Sequence, residues 1–278
     1  MKMLTVILGL LLAVVPARAE RTVLTGATVF PVSSSPIENG EVILDEGVIV
    51  HVGTAVSSDR AGSTVVDLSG HHLYPGLIAS TSSLGLTEIA SVRATMDVNE
   101  MGEHNARLHA YRSVNPDSEL IPVARSNGIT HANVVPGGRH VRGNAGLLAL
   151  DGWTWEERMV GGPTGLHMNW PSVRLRHGGD VPPLKEQIAE REAAVQELAD
   201  LLDRARAYRR ARAAAGERGA GHTERNLEFE AWGPVLDRAV PLYVHADEDR
   251  VVTTVLNFAE ETIDLTVDGD ESLFVWLL

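Results

Sequence analysis

A chain of 278 residues with 44% hydrophobic and 22% charged residues has the balance of a folded globular protein, which excludes an intrinsically disordered one. Its 24 basic residues stand against 37 acidic ones, a formal charge of -13, so nucleic acid and anionic membrane surfaces, which would repel it, are not expected as partners. There is no cysteine, which excludes disulfides, thiolate nucleophiles and thiolate metal sites, so any metal must be held by His, Asp or Glu.

Met1-Lys2 supplies a positive start, Leu4 to Val15 an apolar run, and Ala17-Arg-Ala19 a small-x-small cleavage pattern. These are the three parts of a signal peptide over residues 1–19. The apolar run, about a dozen residues, is short for a membrane span, which takes roughly 20. The mature chain is expected to begin at Glu20 in a periplasmic or secreted setting, without membrane contact after cleavage. It then loses Lys2 and Arg18 and carries 22 basic against 37 acidic residues, a charge of -15.

Residues 20–75 read as a partial β-sandwich domain. Period-2 apolar runs, the mark of half-buried antiparallel strands, occur at Thr22-Val-Leu-Thr25, Ala27-Thr-Val-Phe30, Gly40 to Leu44, Val48 to Val52 and Thr64 to Leu68. Asp45-Glu-Gly47 between two of them is turn chemistry, with Gly47 free to take a positive φ. Ser33 to Pro36 and Ser57 to Gly62 read as loops.

Residues 76–278 read as an incomplete (β/α) barrel, an α/β architecture of the TIM-barrel kind. Leu77-Ile78 starts the first strand. Asp117 to Arg125 has helical spacing with Asn127-Gly128 as its stop, and Pro122 confines that helix to a first turn at that point or kinks it. Ile129 to Val135 reads as a second barrel strand and Ala145 to Leu150 as a strand in a loop excursion. Asp151 to Glu156 is a turn and helix start. Pro182 to Ala215 is the clearest helix, with Leu184, Ile188, Val195, Leu198, Leu202 and Tyr208 on one face. Its acidic half, Glu186 to Asp203, precedes its basic half, Arg204 to Arg212, in agreement with the helix dipole. Leu227 to Arg238 reads as a helix broken near Gly233-Pro234, Val240 to His245 as a strand, Val251 to Glu261 as a helix and Ile263 to Val267 as a strand. Gly137-Gly138 and Gly161-Gly162 lack the lysine and spacing of phosphate loops and read as turns.

Two phrases carry a resemblance. Tyr74-Pro-Gly-Leu-Ile78 followed by Leu84-Gly-Leu86 resembles the amidohydrolase superfamily, whose first barrel strand reads Pro-Gly-Leu-Ile-Asp-x-His-x-His. Further stretches at Glu88-Ile89, Val92 to Thr95, Asn115 to Pro122, Asn127 to Thr130 and Leu150 to Trp155 are similar to its periplasmic, imidazolonepropionase-like branch. The likeness extends over residues 22 to 268. On that pattern Ala79 stands for the Asp, and Thr81 and Ser83 for the two His, so the first-strand metal pair is absent. The resemblance implies metal-dependent hydrolysis of non-peptide C–N bonds of a small-molecule substrate. It implies a divalent cofactor, zinc foremost, at the barrel's C-terminal mouth. With its first-strand ligands replaced, this chain is expected to be impaired or to bind no metal, and the alternative is a catalytically inactive binding or scaffold homologue. The family's barrel and its sandwich-closing strands need more residues than follow here, so the sequence reads as truncated, and open strand edges with an apolar Leu273 to Leu278 point to self-association.

Among eleven His, the resemblance carries over one metal ligand, His245, at the end of the Pro-Leu-Tyr-Val strand. The residue itself reads equally as a hydrogen-bonded barrel histidine. Asp247, two positions on, shares its side if the strand continues, or caps the next helix if that helix starts early. His131, on the second strand, is the best of the others, and His71, His72, His104, His109, His140, His167, His177 and His222 lack partner spacing. Ser80, Thr81, Ser82 and Ser83 lie in no Gly-x-Ser-x-Gly elbow and have no apparent base. The three-part leader gives a direct test: N-terminal sequencing of the exported protein should begin at Glu20, and a chain beginning at Met1 would refute cleavage.

Overall fold

The structure, a computed structural model, describes residues 21–56, 60–172, 174–178, 181–218 and 224–245, with 254–255, 258 and 276–277 beyond them. The leader, Asp247 and the elements expected at 251–261 and 263–267 therefore lie outside or almost wholly outside the described residues. The chain divides into two compact units, one ending at Pro75 and the other beginning at Gly76.

The first unit is one mixed sheet of β1 (Thr22–Val29), β2 (Ile37–Asp45), β3 (Val48–Thr54), β4 (Thr64–Asp67) and β5 (His72–Leu73). Its order is β3-β2-β1-β4, with β5 also on β1. The two runs before and after Gly26 are one strand, since Gly26 takes φ 81° and keeps the pairing through a register shift. The β2–β3 turn has positive φ at both Glu46 (50°) and Gly47 (79°), the arrangement whose twist matches a two-residue hairpin. The expectation of purely antiparallel strands fails here, because β4 and β5 both run parallel to β1. Ala27, Val29 and Val42 form its small core, and the buried Glu41 carboxylate is satisfied by the Arg60 guanidinium and by Val56 N–H at 3.2 Å. Val48, Ile49, Val50 and Val65 stay exposed, so this is one layer of the two a sandwich needs.

The second unit is built on a curled six-stranded sheet of β6 (Leu77–Ser82), β7 (Ile129–Val134), β8 (Val141–Ala149), β9 (Met159–Asn169), β10 (Leu242–His245) and β11 (Trp276–Leu277), in that spatial order. β6 and β7 are parallel, as are β9, β10 and β11. β8 is antiparallel to both of its neighbours and belongs to the sheet itself, not to an excursion from it. Gly161-Gly162, expected as a turn, lies inside β9. The sheet is thus mixed, and β6 and β11 are its edges among the described residues.

Helices lie along the chain between these strands. α1 (Leu120–Ser126) places Pro122 in its first turn, where a missing N–H costs nothing, and Ser118 Oγ accepts from Leu120 N–H at 3.3 Å. α2 (Trp155–Arg158) is capped by Thr154, which accepts from Glu157 N–H. The buried Arg158 guanidinium donates to the carbonyls of Gly152 and Pro116. α3 (Leu184–Arg218) runs 35 residues, and α4 (Leu227–Ala231) and α5 (Gly233–Leu236) are the halves of the broken helix. Among the described residues no helix is long and apolar enough to cross a membrane.

One core joins α3 to the sheet: Leu198, Leu201, Leu202 and Ala205 bury against Leu166, Met168, Leu242 and Val244, closed by Trp170, Trp232 and Val235. The buried stripe repeats every three or four residues, as a single helical face must. Leu201 and Ala205 join the expected Leu198 and Leu202 in it, the expected Val195 packs against it partly buried, and Leu184 remains 53% exposed. A second core packs Ile121, Tyr111 and Val114 on Ala132, Val134 and Leu148. Replacing Leu202, 3% exposed, by Ala should destabilise the chain by about 2–5 kcal/mol. Urea denaturation measures this, with Glu192→Ala on the exposed face expected within about 0.5 kcal/mol of the parent.

Candidate functional site

β9 and β10 run parallel in the register Leu242–Leu166, Tyr243–His167, Val244–Met168 and His245–Asn169. Alternation along a strand sends Leu166, Met168, Leu242 and Val244 into the α3 core, so His167, Asn169, Tyr243 and His245 share the opposite face. Asn169 and His245 end their strands. The carboxyl ends of parallel strands are where α/β sheets place ligands.

His245 lies half-buried there, with its Nε2 2.9 Å from His167 Nδ1 and 3.3 Å from Arg142 Nη1. A guanidinium can only donate, so His245 Nε2 is an acceptor and its own ring proton sits on Nδ1. The same acceptor then takes the proton of His167 Nδ1, which leaves His167 Nε2 as a lone pair, buried and without a hydrogen-bond partner among the described residues. The His167 ring, 1% exposed, stacks on Tyr243 at 4.7 Å and 16°. Gly165 makes room for that stack, because a Cβ there would lie 2.2 Å from Tyr243 Cε2. Burial, with His245 and Arg142 nearby, lowers the His167 pKa to about 3 and keeps the ring neutral.

The rim is fastened by hydrogen bonds. Asn169 Nδ2 donates to the carbonyls of Gly138 (2.9 Å) and Arg139 (2.7 Å), and its N–H donates to the His140 carbonyl, tying the β7–β8 loop to the end of β9. Trp170 N–H donates to the His245 carbonyl at 2.9 Å. On β7, Asn133 Nδ2 donates to the Ser80 carbonyl and its Oδ1 accepts from Thr164 Oγ1 at 2.6 Å.

The structure thus joins His245 to two residues that local sequence patterns do not single out, Arg142 and His167. A signal for His167 exists: Leu166-His-Met-Asn169 alternates apolar and polar residues. Reading Gly161-Gly162 as a turn hides the strand that carries it. His131 lies on β7 with Nδ1 2.9 Å from Thr130 Oγ1, and it makes no bond to the His245 group. Ser82 Oγ accepts from Leu84 N–H at 3.0 Å, and Thr81 is exposed at the end of β6. Elsewhere His104 bonds Glu197 at 2.9 Å, His51 the Thr54 carbonyl and His109 the Tyr111 hydroxyl.

These donors do not fit a divalent metal. The Nε2 lone pair of His245 is engaged by two donors, and a guanidinium beside it repels a cation. No three His, Asp or Glu among the described residues are grouped to hold an ion.

Solved structures bear on this arrangement. An amidohydrolase from Thermotoga maritima is 26% identical with a TM-score of 0.75, over 87% of this chain and 62% of that protein. The chain therefore spans less than two thirds of that relative's length. The likeness supports the amidohydrolase superfamily. A prolidase complexed with N-methylphosphonate-L-proline (15% identity, TM-score 0.41, 86% of this chain and 59% of that one) is too distant to carry an argument. So is an uncharacterized protein (15% identity, TM-score 0.36, 86% and 58%). No family model and no curated protein matches the chain.

The depressed pKa of His167 has a sign that can be worked out. Between about pH 3 and about 6.5, the unfolded chain binds a proton at this residue that the folded chain does not, so its contribution to stability falls as pH drops through that window. Proton–nitrogen NMR should show one imidazole that stays neutral from about pH 4 to 8 and disappears in His167→Gln. A full set of imidazoles titrating near the ordinary value would refute the burial argument.

Proposed function

We propose that the chain is an exported, amidohydrolase-like hydrolase in which metal-dependent cleavage of non-peptide C–N bonds is impaired. The observation that carries the reading is the His245 group: at the strand end where the resemblance expects a ligand, Nε2 is held by Arg142 and His167. Hydroxyl groups at Thr81 and Ser83, poor zinc ligands, point the same way. In a fully competent relative the metal would activate water. What these residues do is hold the buried, neutral His167 against His245 beside the Arg142 guanidinium and orient a small-molecule ligand at the rim.

A second reading, a binding homologue without catalysis, is favoured by the same guanidinium, which suits an anion better than a metal. The two separate on metal content and turnover. Purified full-length chain dialysed against buffer should keep well under one equivalent of zinc, and rates on a panel of N-acyl and cyclic amides with added zinc should stay near background. A turnover above about 1 s⁻¹ would mark an intact enzyme. Stoichiometric zinc lost in His245→Ala would show that further ligands complete a site and would overturn the impaired reading.

Self-association is part of the proposal. Among the described residues β3 and β6 are edge strands with exposed Val48, Val50, Leu77 and Ile78, and unpaired apolar edges recruit other chains. The excess of acid opposes this weakly, since charges are screened over about 8 Å at physiological salt. Light scattering should report dimers or larger species, and a monodisperse monomer would refute it.

A further inference from the structure

Beyond the His245 group, the rim carries a cationic cavity that the hydrolase reading leaves unused. It measures about 410 Å³ and is lined by His140, Arg174, Arg176, Gln187, Glu190 and Arg191, with Pro171 and Ser172 at one edge. Cavities of this size hold small ligands. Two of its guanidinium groups, those of Arg176 and Arg191, stand together at one concavity in a chain whose overall charge is -13.

Neither Arg176 nor Arg191 has a carboxylate partner for its guanidinium among the described residues, whereas Arg107, Arg125, Arg139, Arg209 and Arg225 all pair with acids. Two guanidiniums converging on one concavity, with no carboxylate on either among the described residues, make a local positive field that attracts an anion.

The walls are fixed in advance. Gln187, near the start of α3, accepts from Arg176 N–H at 2.8 Å and donates to the carbonyls of Arg176 (3.0 Å) and Pro182 (2.8 Å), which clamps the loop after β9 onto the helix. Ser172 Oγ accepts from Arg174 N–H at 3.1 Å. His140 is held through its carbonyl by Asn169 N–H. The cavity edge at Pro171 lies two residues from Asn169, the register partner of His245, so the cavity borders the same strand ends.

From this placement we propose that the cavity binds the anionic group, carboxylate or phosphate, of a small-molecule ligand, with Arg176 and Arg191 as its forks. Planar guanidiniums match both oxyanions in a bidentate manner. The inference rests on the reading that a small molecule docks at these strand ends, and it supplies that molecule's chemical class.

Calorimetric titration of the full-length chain tests it without requiring turnover. Succinate should bind with one site, at least tenfold tighter than neutral succinamide. Arg176→Ala and Arg191→Ala should each weaken it fivefold or more, with unchanged circular dichroism and melting. Arg125→Ala, which removes an arginine paired with Asp151 elsewhere, should leave it unaltered. Inorganic phosphate binding more tightly than succinate, with the same two arginines required, would also support the site and identify phosphate as the group. Equal binding of succinate and succinamide, or equal loss in Arg125→Ala, would overturn the proposal. If the anion binds and no amide is hydrolysed, the cavity stands and the hydrolase reading fails. Hydrolysis of neutral amides without binding of succinate or phosphate would leave the hydrolase reading standing and overturn the cavity.

Discussion

The packing of α3 on β9 and β10 fixes most of what matters in the second unit. Leu198, Leu201, Leu202 and Ala205 meet Leu166, Met168, Leu242 and Val244, and once those four strand residues are committed to the core, the pleat leaves no choice for their neighbours. A shift of one residue in β9 would turn His167 toward the helix and Leu166 away from it, and one in β10 would do the same to His245 and Val244. The apolar burial on one face thus holds a polar group in register on the other.

That polar group has a definite internal logic. Arginine cannot accept, so the bond from Arg142 fixes the tautomer of His245, and His245 in turn fixes the proton of His167. Burial then keeps His167 neutral, since charging it would put a second cation next to a guanidinium away from water. The result is a proton arrangement determined by one donor.

The first unit follows a different constraint. Its sheet buries Ala27, Val29 and Val42 on one side and leaves valines of β3 and β4 exposed on the other. A single layer cannot hide both faces. The fully buried Glu41 survives there because Arg60 and the Val56 N–H satisfy its two oxygens, which offsets the cost of removing a carboxylate from water.

Local physics was legible in the sequence. The β2–β3 turn, the start of α1 around Pro122, the start of α2 after the Asp151 turn, the long α3 and the break at Gly233-Pro234 all follow from φ preferences, capping and period, which act within a few residues. The strand ending at His245 was legible for the same reason. What only the tertiary structure decided were relations between distant segments: that β4 and β5 run parallel to β1, that β8 enters the sheet antiparallel, and that Gly161-Gly162 continues a strand. The partners of His245 belong to this class. His167 is 78 residues away and Arg142 is 103, and no local preference encodes such a meeting. It arises when strand register and helix packing bring three chain segments to one sheet face, and that burial then sets the protonation their chemistry depends on.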